Sequence, residues 1–315
     1  MTDWRPSSGP AAAARRSALL ARTRDYFDRH GVLAVDTPAL VGAGVTDPNI
    51  ESVPVGGGYL HTSPEFAMKR LLADGYPDIY SICRVFRAGE HGRRHLREFT
   101  MIEWYRHDFG LDAIIADTLG LIRHALDRDA DALLATVIDY RDAFIAHAGV
   151  DPLTDPVAAL ARAAGADEAL AASLGDDRDT WLDLLMSTRV ADALAPDELT
   201  VIRHYPASQA ALARLCPANP RVADRFEVFA GNVELANGYV ELTDAAEQAA
   251  RMDADIERRR ERGLPPARRD AALLAALEAG LPPCAGVALG AERLHMLAAG
   301  ADDIRDVITF DGDCP

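Results

Sequence analysis

Apolar positions first recur at helical spacing between residues 11 and 30. There Leu19, Leu20, Thr23, Phe27 and His30 fall on one face, and Gly31 supplies the stop. A short apolar strand follows within 31–40 and is ended by Pro38. Thr62-Ser-Pro-Glu65 reads as the start of a helix over 66–73, with Ser63 as N-cap, Pro64 in the first turn and Glu65 favourable to the helix dipole. Residues 79–87 and 98–106 predict the strands of a long hairpin around a charged loop. Strict alternation then puts Phe99, Met101, Glu103 and Tyr105 on one face of the return strand. The Ala- and Leu-rich stretches 111–127 and 155–195 predict helices, the second punctuated by Gly165, Gly175 and Pro196; about 111–196 reads as a helical insertion. Strands return at 200–205, 225–242 and 284–289, with helices at 244–262 and 291–299. Hairpins in place of alternating β-α units predict an α+β fold, a largely antiparallel sheet flanked by helices in a single domain spanning 1–315.

Composition bounds this picture. The chain has 315 residues, 49% of them apolar, enough for a large core, and no run approaches the roughly 18 apolar residues of a membrane span. The polar, proline-containing start does not read as a signal peptide, so a cytoplasmic protein is expected. Cys83, Cys216, Cys284 and Cys314 are widely spaced and predict idle thiols in a reducing compartment. The net charge of −16 is uneven. Residues 1–110 carry 14 Lys+Arg against 13 Asp+Glu; the remainder carries 19 against 36. Such a surface does not attract phosphate backbones generally, and nucleic acid would need the arginine-rich stretch 87–106. Lys69 is the only lysine, and the sequence alone assigns it no role.

Three constellations carry chemistry. Arg87 ends one hairpin strand as a planar, bidentate phosphate clamp, while Glu103 sits in phase with bulky apolar residues. That charge is costly to bury without a cation, which implies either an internal Arg–Glu pair or the floor of a charged-ligand site. Glu234 and Glu241 are seven positions apart, so an unbroken strand would point them to opposite faces; Asn237-Gly238 is the turn or bulge expected to bring them together. Converging carboxylates beside a phosphate clamp suit Mg²⁺; solvated edge charges are the plainer alternative. In Cys284-Ala-Gly-Val-Ala-Leu-Gly290-Ala-Glu-Arg293, Gly286 and Gly290 permit close approach of a ligand. Arg293 opposes the helix dipole and implies a local anion or stacking partner.

Arg87 at a strand end, the loop, Phe99 on the return strand and the terminal Gly290-Ala-Glu-Arg293 resemble motifs two and three of class II aminoacyl-tRNA synthetases, and 31–40 resembles motif one. The words Ser63-Pro-Glu65, Met68-Lys-Arg-Leu71, Glu98-Phe-Thr100, Glu103-Trp-Tyr105 and Glu234-Leu-Ala-Asn-Gly238 are similar to the lysine branch, over about 15–310. Motif one begins at residue 31, so the resemblance is to a catalytic half without the anticodon-gripping OB domain. Tyr205-Pro-Ala-Ser-Gln-Ala-Ala-Leu212, Gly263-Leu-Pro265 and Ala288 resemble the stand-alone paralogues that attach (R)-β-lysine to elongation factor P.

The resemblance implies an ATP-dependent enzyme that forms an aminoacyl-adenylate and passes the acyl group to a lysine of elongation factor P, with tRNA not expected as acceptor. It implies catalytic roles for Arg87 and Arg293, and ATP contacts from Arg87, Glu234, Leu235, Gly290 and Arg293. Ser63, Glu65, Tyr105 and Glu241 would bind the ammonium groups of the substrate. Mg²⁺ would sit on Glu234 and Glu241, with Glu241 alternatively a substrate ligand, and a homodimer would form through motif one. The motif-two loop departs from the family: Arg87-Ala-Gly89 replaces Arg-Asn-Glu, and Leu96 stands where an Asn is expected near ATP. An enzyme charging tRNA or another carrier with α-lysine, or a synthetase-like binding protein without catalysis, remain the alternatives.

Overall fold

The computed structural model describes residues 4–311; Cys314 lies outside them. Helix α1 (Pro10–Arg29) opens on Pro10 and buries Leu19, Thr23 and Phe27 on the face its spacing predicts. Strand β1 (Leu33–Ala34) follows, and β2 (Leu40–Val41), β3 (Val53–Val55) and β4 (Gly58–Leu60) make a small antiparallel sheet ahead of α2 (Glu65–Ala73). The expected hairpin is β5 (Ile79–Phe86) and β6 (Glu98–His107), in register from Ile79 opposite Tyr105 to Phe86 opposite Glu98.

Helix α3 (Leu111–Leu126) leads to β7 (Ala135–Asp139), an edge strand that the sequence pattern does not announce. Four short helices, α4 (Tyr140–Ala148), α5 (Val157–Ala164), α6 (Glu168–Leu174) and α7 (Arg178–Leu185), precede β8 (Leu199–Arg203). Then come β9 (Leu215–Cys216), β10 (Asn219–Ala223), the pair β11 (Arg225–Ala230) and β12 (Val233–Val240), α8 (Ala245–Glu261), α9 (Ala271–Gly280), β13 (Cys284–Gly290) and α10 (Ala291–Ala299).

Eight strands form the main sheet in the order β1-β5-β6-β13-β12-β11-β8-β7. The edge pairs β1–β5 and β7–β8 run parallel, and every pairing between them is antiparallel, as expected of an α+β fold. One face is covered by α1, α3 and α10 over a core that includes Phe27, Trp104, Ile122, Phe226 and Leu294. Asp117 of α3 ties that layer together, accepting from the Tyr26 hydroxyl at 2.8 Å and from Trp104 Nε1 at 2.9 Å. Helix α3 therefore belongs to the main core, and the inserted helices begin after it. Those helices share a separate apolar cluster around Tyr140, Phe144 and Trp181, which meets the sheet at Ile202 and Phe229.

The stretch 225–242 is a hairpin turning at Gly231-Asn232, with Gly231 at a φ of 54°. Asn237-Gly238, the expected turn, lies inside β12. Gly238 has a packing reason instead: a Cβ there would lie 2.6 Å from the Phe226 ring and 2.9 Å from Val287. Gly238→Ala is therefore expected to destabilise the protein by about 1–3 kcal/mol through overpacking. Phe226→Leu in that background should recover part of the loss; urea unfolding of the single and double variants measures both.

Candidate active site

The opposite face of the sheet carries an open cleft of about 260 Å³. Its floor is built from β6, β13 and β12, and its walls from the start of α2, the β5–β6 loop and the start of α10. The floor follows from register. Glu103 of β6 lies beside Ala288 of β13, Ala288 beside Asn237 of β12, and Asn237 beside Glu227 of β11. One step along, Tyr105, Gly286, Tyr239 and Arg225 form the neighbouring row. A break in the β11–β12 register, where Val228 faces Ala236 but Phe229 faces Glu234, leaves Leu235 as an extra residue. This bulge puts Glu234 in phase with Asn237 and Tyr239, and all three line the cleft.

At one end of the cleft the charge is positive. Arg87 lies with its guanidinium 5.2 Å from the Phe99 ring centre, its Nη1 donating to Glu90 Oε1 at 2.9 Å. Arg293, in the first turn of α10, donates to the Glu234 carbonyl at 3.0 Å and to the Arg94 carbonyl at 3.2 Å. Its Nη1 is also 3.5 Å from Glu234 Oε2, which is the anionic partner its unfavourable position required. Arg94 and His95 line the same end; burial first, and then the Arg293 charge, hold the His95 imidazole below its usual protonation range. Leu96, where an Asn was expected, also lines the cleft and packs against the apolar cluster of Met296 and Ile304.

At the other end carboxylates gather. Lys69 projects from α2 into a fully buried position, 2.6 Å from Glu65 Oε1 and 2.6 Å from Glu241 Oε2. Burial opposes its charge, but the two carboxylates outweigh that and hold the ammonium protonated. Beside them Glu103 is buried without a cation in contact. Its carboxylate accepts from the Ser63 hydroxyl at 2.7 Å and from the Tyr105 hydroxyl at 2.7 Å. Burial, then the nearby Glu65 charge, raise the Glu103 carboxyl to about 8. Helix α2 starts at Glu65 with Pro64 as N-cap, so Ser63, the expected cap, stands one residue before that position; its hydroxyl accepts from the Glu65 backbone N–H at 2.9 Å while orienting Glu103. Of the two earlier possibilities for Glu103, the internal Arg–Glu pair is not formed.

The cleft brings together Ser63, Glu65, Arg87, Glu234, Leu235, Gly290 and Arg293. It does not bring Tyr105 and Glu241 to its surface. Tyr105 is buried beneath the floor with its hydroxyl committed to Glu103. Glu241 does reach the same side of the sheet as Glu234, by way of the Leu235 bulge and not the Asn237-Gly238 dipeptide, but its buried carboxylate is held by Lys69. The expected pair of metal-binding carboxylates is thus not formed. Gly286 does not make room for a ligand either, because a Cβ there would lie 2.4 Å from the Tyr105 ring and 2.6 Å from Glu241 Oε1.

Residues 2–313 match the family of tRNA synthetases class II (D, K and N). The chain belongs to this class II synthetase family. Among curated relatives it is 43% identical to an elongation factor P–(R)-β-lysine ligase of Salmonella typhi, covering 98% of this chain and 97% of the relative. It is 44% identical to the ligase of the same description from Klebsiella pneumoniae subsp. pneumoniae, with 98% and 97% covered, and 43% identical to that of Sodalis glossinidius, with the same shares. Members of this synthetase class use ATP, and the paired motif arginines of the cleft fit that use.

Sequence reasoning passed over Lys69, Asn237 and Tyr239. A single lysine within a carboxylate-rich chain was the available signal for the first. The second and third follow from alternation with Glu241 once β12 runs unbroken through Gly238.

The Glu103 shift sets a pH dependence. An unfolded chain ionises this carboxyl near its ordinary value of 4.5, while the folded chain holds the proton up to about 8. The folded state binds the extra proton, so the stability it contributes is complete below about 4.5 and is lost as pH rises through about 8. The melting temperature is expected to fall over that window, and less steeply in Glu103→Gln. Equal slopes in the two proteins would remove Glu103 as the cause.

Proposed function

We propose that this chain is an ATP-dependent, AMP-forming ligase that activates (R)-β-lysine and transfers it to a lysine side chain of elongation factor P. The observation that carries this reading is the division of charge along the cleft. A surplus of buried carboxylate under Ser63 and Glu65 is suited to a ligand bearing two ammonium groups. Arg87, Arg94 and Arg293 at the other end are suited to a triphosphate. The description shared by relatives at 43–44% identity over nearly the whole chain names the substrates.

In the first step a carboxylate oxygen of the amino acid attacks the α-phosphorus of ATP. The bond to the β-phosphate oxygen breaks, and pyrophosphate leaves. Arg87 offers two parallel N–H donors to the α-phosphate as charge builds there, and Arg293 holds the distal part of the nucleotide. The contribution is one of positioning and fixed charge. In the second step the acceptor amine, having lost a proton, attacks the acyl carbon, and AMP leaves. Glu65 and the Ser63–Glu103 pair orient the amino groups. The Ala288 methyl on the floor, between Glu103 and Asn237, shapes the space for an amino group displaced by one carbon. The Glu234 carboxylate, partly exposed in the cleft, has the hard-oxygen character that Mg²⁺ takes together with phosphate oxygens and water. Such an ion would supply neutralising charge beside the pyrophosphate.

ATP–pyrophosphate exchange with (R)-β-lysine, α-lysine or no amino acid, followed by transfer to elongation factor P or tRNA, tests the reading. Exchange is expected with (R)-β-lysine and transfer to the protein. Exchange with α-lysine alone, or loading of tRNA, would overturn it. In Arg87→Ala, exchange should fall at least about 100-fold with an unchanged melting temperature.

We also propose a homodimer through motif one. Leu33 at the sheet edge and Leu40 are 46% and 56% exposed, which is apolar surface at the place the resemblance assigns to subunit contact. Sedimentation should give a dimer for the natural chain and a monomer for Leu40→Asp; a natural chain that sediments as a monomer removes the proposal.

A further inference from the structure

We infer that His204, Cys216 and Asp224 form a binding site for a thiophilic divalent cation of the Zn²⁺ type, apart from the cleft. The three side chains come from separate segments: the residue after β8, strand β9, and the residue between β10 and β11. One ligand atom from each lies within 4.8 Å of the others, the only such grouping of three among the described residues. A tetrahedral ion with bonds of about 2.0–2.3 Å sets ligand atoms about 3.3–3.8 Å apart, so side-chain adjustments of about an ångström close the site.

The surroundings prepare each ligand. His204 Nδ1 is 3.3 Å from Asp139 Oδ1, which fixes that nitrogen as the donor and leaves Nε2 facing Asp224 Oδ1 across 4.0 Å. That gap is too long for a hydrogen bond. Arg214 Nε holds the other Asp224 oxygen, Oδ2, at 2.8 Å. His204 keeps this position with a left-handed backbone, φ 60°, uncommon for a residue with a side chain. A thiolate, an imidazole and one carboxylate are the donor set of a borderline-soft ion, with water as the fourth ligand at this half-exposed place. On binding, the Cys216 thiol releases its proton to solvent, and no electron is transferred. The ion would tie together the ends of the 204–224 excursion, whose residues Ala211 and Leu212 line the active cleft.

The full chain, freed of metal by a chelator, is titrated with Co²⁺ and then Zn²⁺. One equivalent of Co²⁺ is expected to produce thiolate-to-metal charge-transfer absorption, abolished when Zn²⁺ displaces it. Zn²⁺ should protect Cys216, but not Cys83, from iodoacetamide, read by mass spectrometry. Cys216→Ser should lose the charge-transfer band, and Asp139→Asn, which alters the orienting partner together with the 2.8 Å ion pair it makes with Arg203, should bind Zn²⁺ about 10–100-fold more weakly. Absence of the band, its persistence in Cys216→Ser, or alkylation of Cys216 unchanged by Zn²⁺ would each overturn the assignment. The alkylation result uses the natural chain, so it decides the matter even where a variant does not fold.

Discussion

The buried ammonium of Lys69 is the contact around which the active face is arranged. A lysine taken wholly out of water is stable only where carboxylates meet it closely, and Glu65 and Glu241 each do so at 2.6 Å. Glu65 opens α2 and Glu241 follows β12, so this one charge fastens the helix wall of the cleft to the sheet. The space that Glu241 then needs excludes a side chain at residue 286, because a Cβ on Gly286 would enter both that carboxylate and the Tyr105 ring. Tyr105, placed there, donates to Glu103. With Lys69 committed to two carboxylates, Glu103 has hydrogen-bond donors but no cation. A cleft whose floor holds more buried carboxylate than ammonium is best completed by a positively charged ligand.

The sequence was legible where chemistry and local periodicity coincide. The alternation in Phe99-Thr-Met-Ile-Glu-Trp-Tyr105 sets the face of Glu103 without knowledge of any partner, and Arg87 and Arg293 stand beside turn and helix signals that fix their positions. What could not be read was long-range. Nothing near Lys69 in the chain points to Glu241, and their pairing depends on α2 packing on the sheet, where Met68 and Leu72 share a cluster with Ile79, Tyr105 and Cys284. The bulge was expected at Asn237-Gly238 because those residues favour turns. It falls at Leu235, while Gly238 stays paired with Phe226 and Val287, whose side chains close over it. Strand β7 escaped notice for a related reason: it is a short edge strand and is specified mostly by its partner β8.

The two faces of the sheet show why one sequence supports both stability and a charged site. Toward α1, α3 and α10 the strands present Trp104, Phe226, Val228, Val287 and Leu289, an apolar layer in which the buried Asp117 is satisfied by two donors. Burial of such side chains contributes about 1.5–3 kcal/mol each. That layer offsets the cost of the opposite face, where Glu103, Glu241 and Lys69 are buried and Glu227 and Arg225 are partly so. Alternation makes the division possible, since each strand contributes to both layers.

The commitment of Glu241 also constrains how the cleft divides its work. Had both glutamates been open, cation binding and amine binding would compete for the same carboxylates. Instead Glu241 is sealed by Lys69, and Glu234 stays partly exposed next to Arg293. The exposed carboxylate lies at the arginine end, and the sealed ones lie at the end lined by Ser63 and Glu65. A ligand with an anionic reacting group and cationic amines can therefore take only one direction along the cleft: reversing it would place amines against Arg87 and Arg293 and phosphates against Glu65. The direction is set by fixed charge before any side chain moves, and it brings the ligand's carboxylate to the arginine that the proposed chemistry requires.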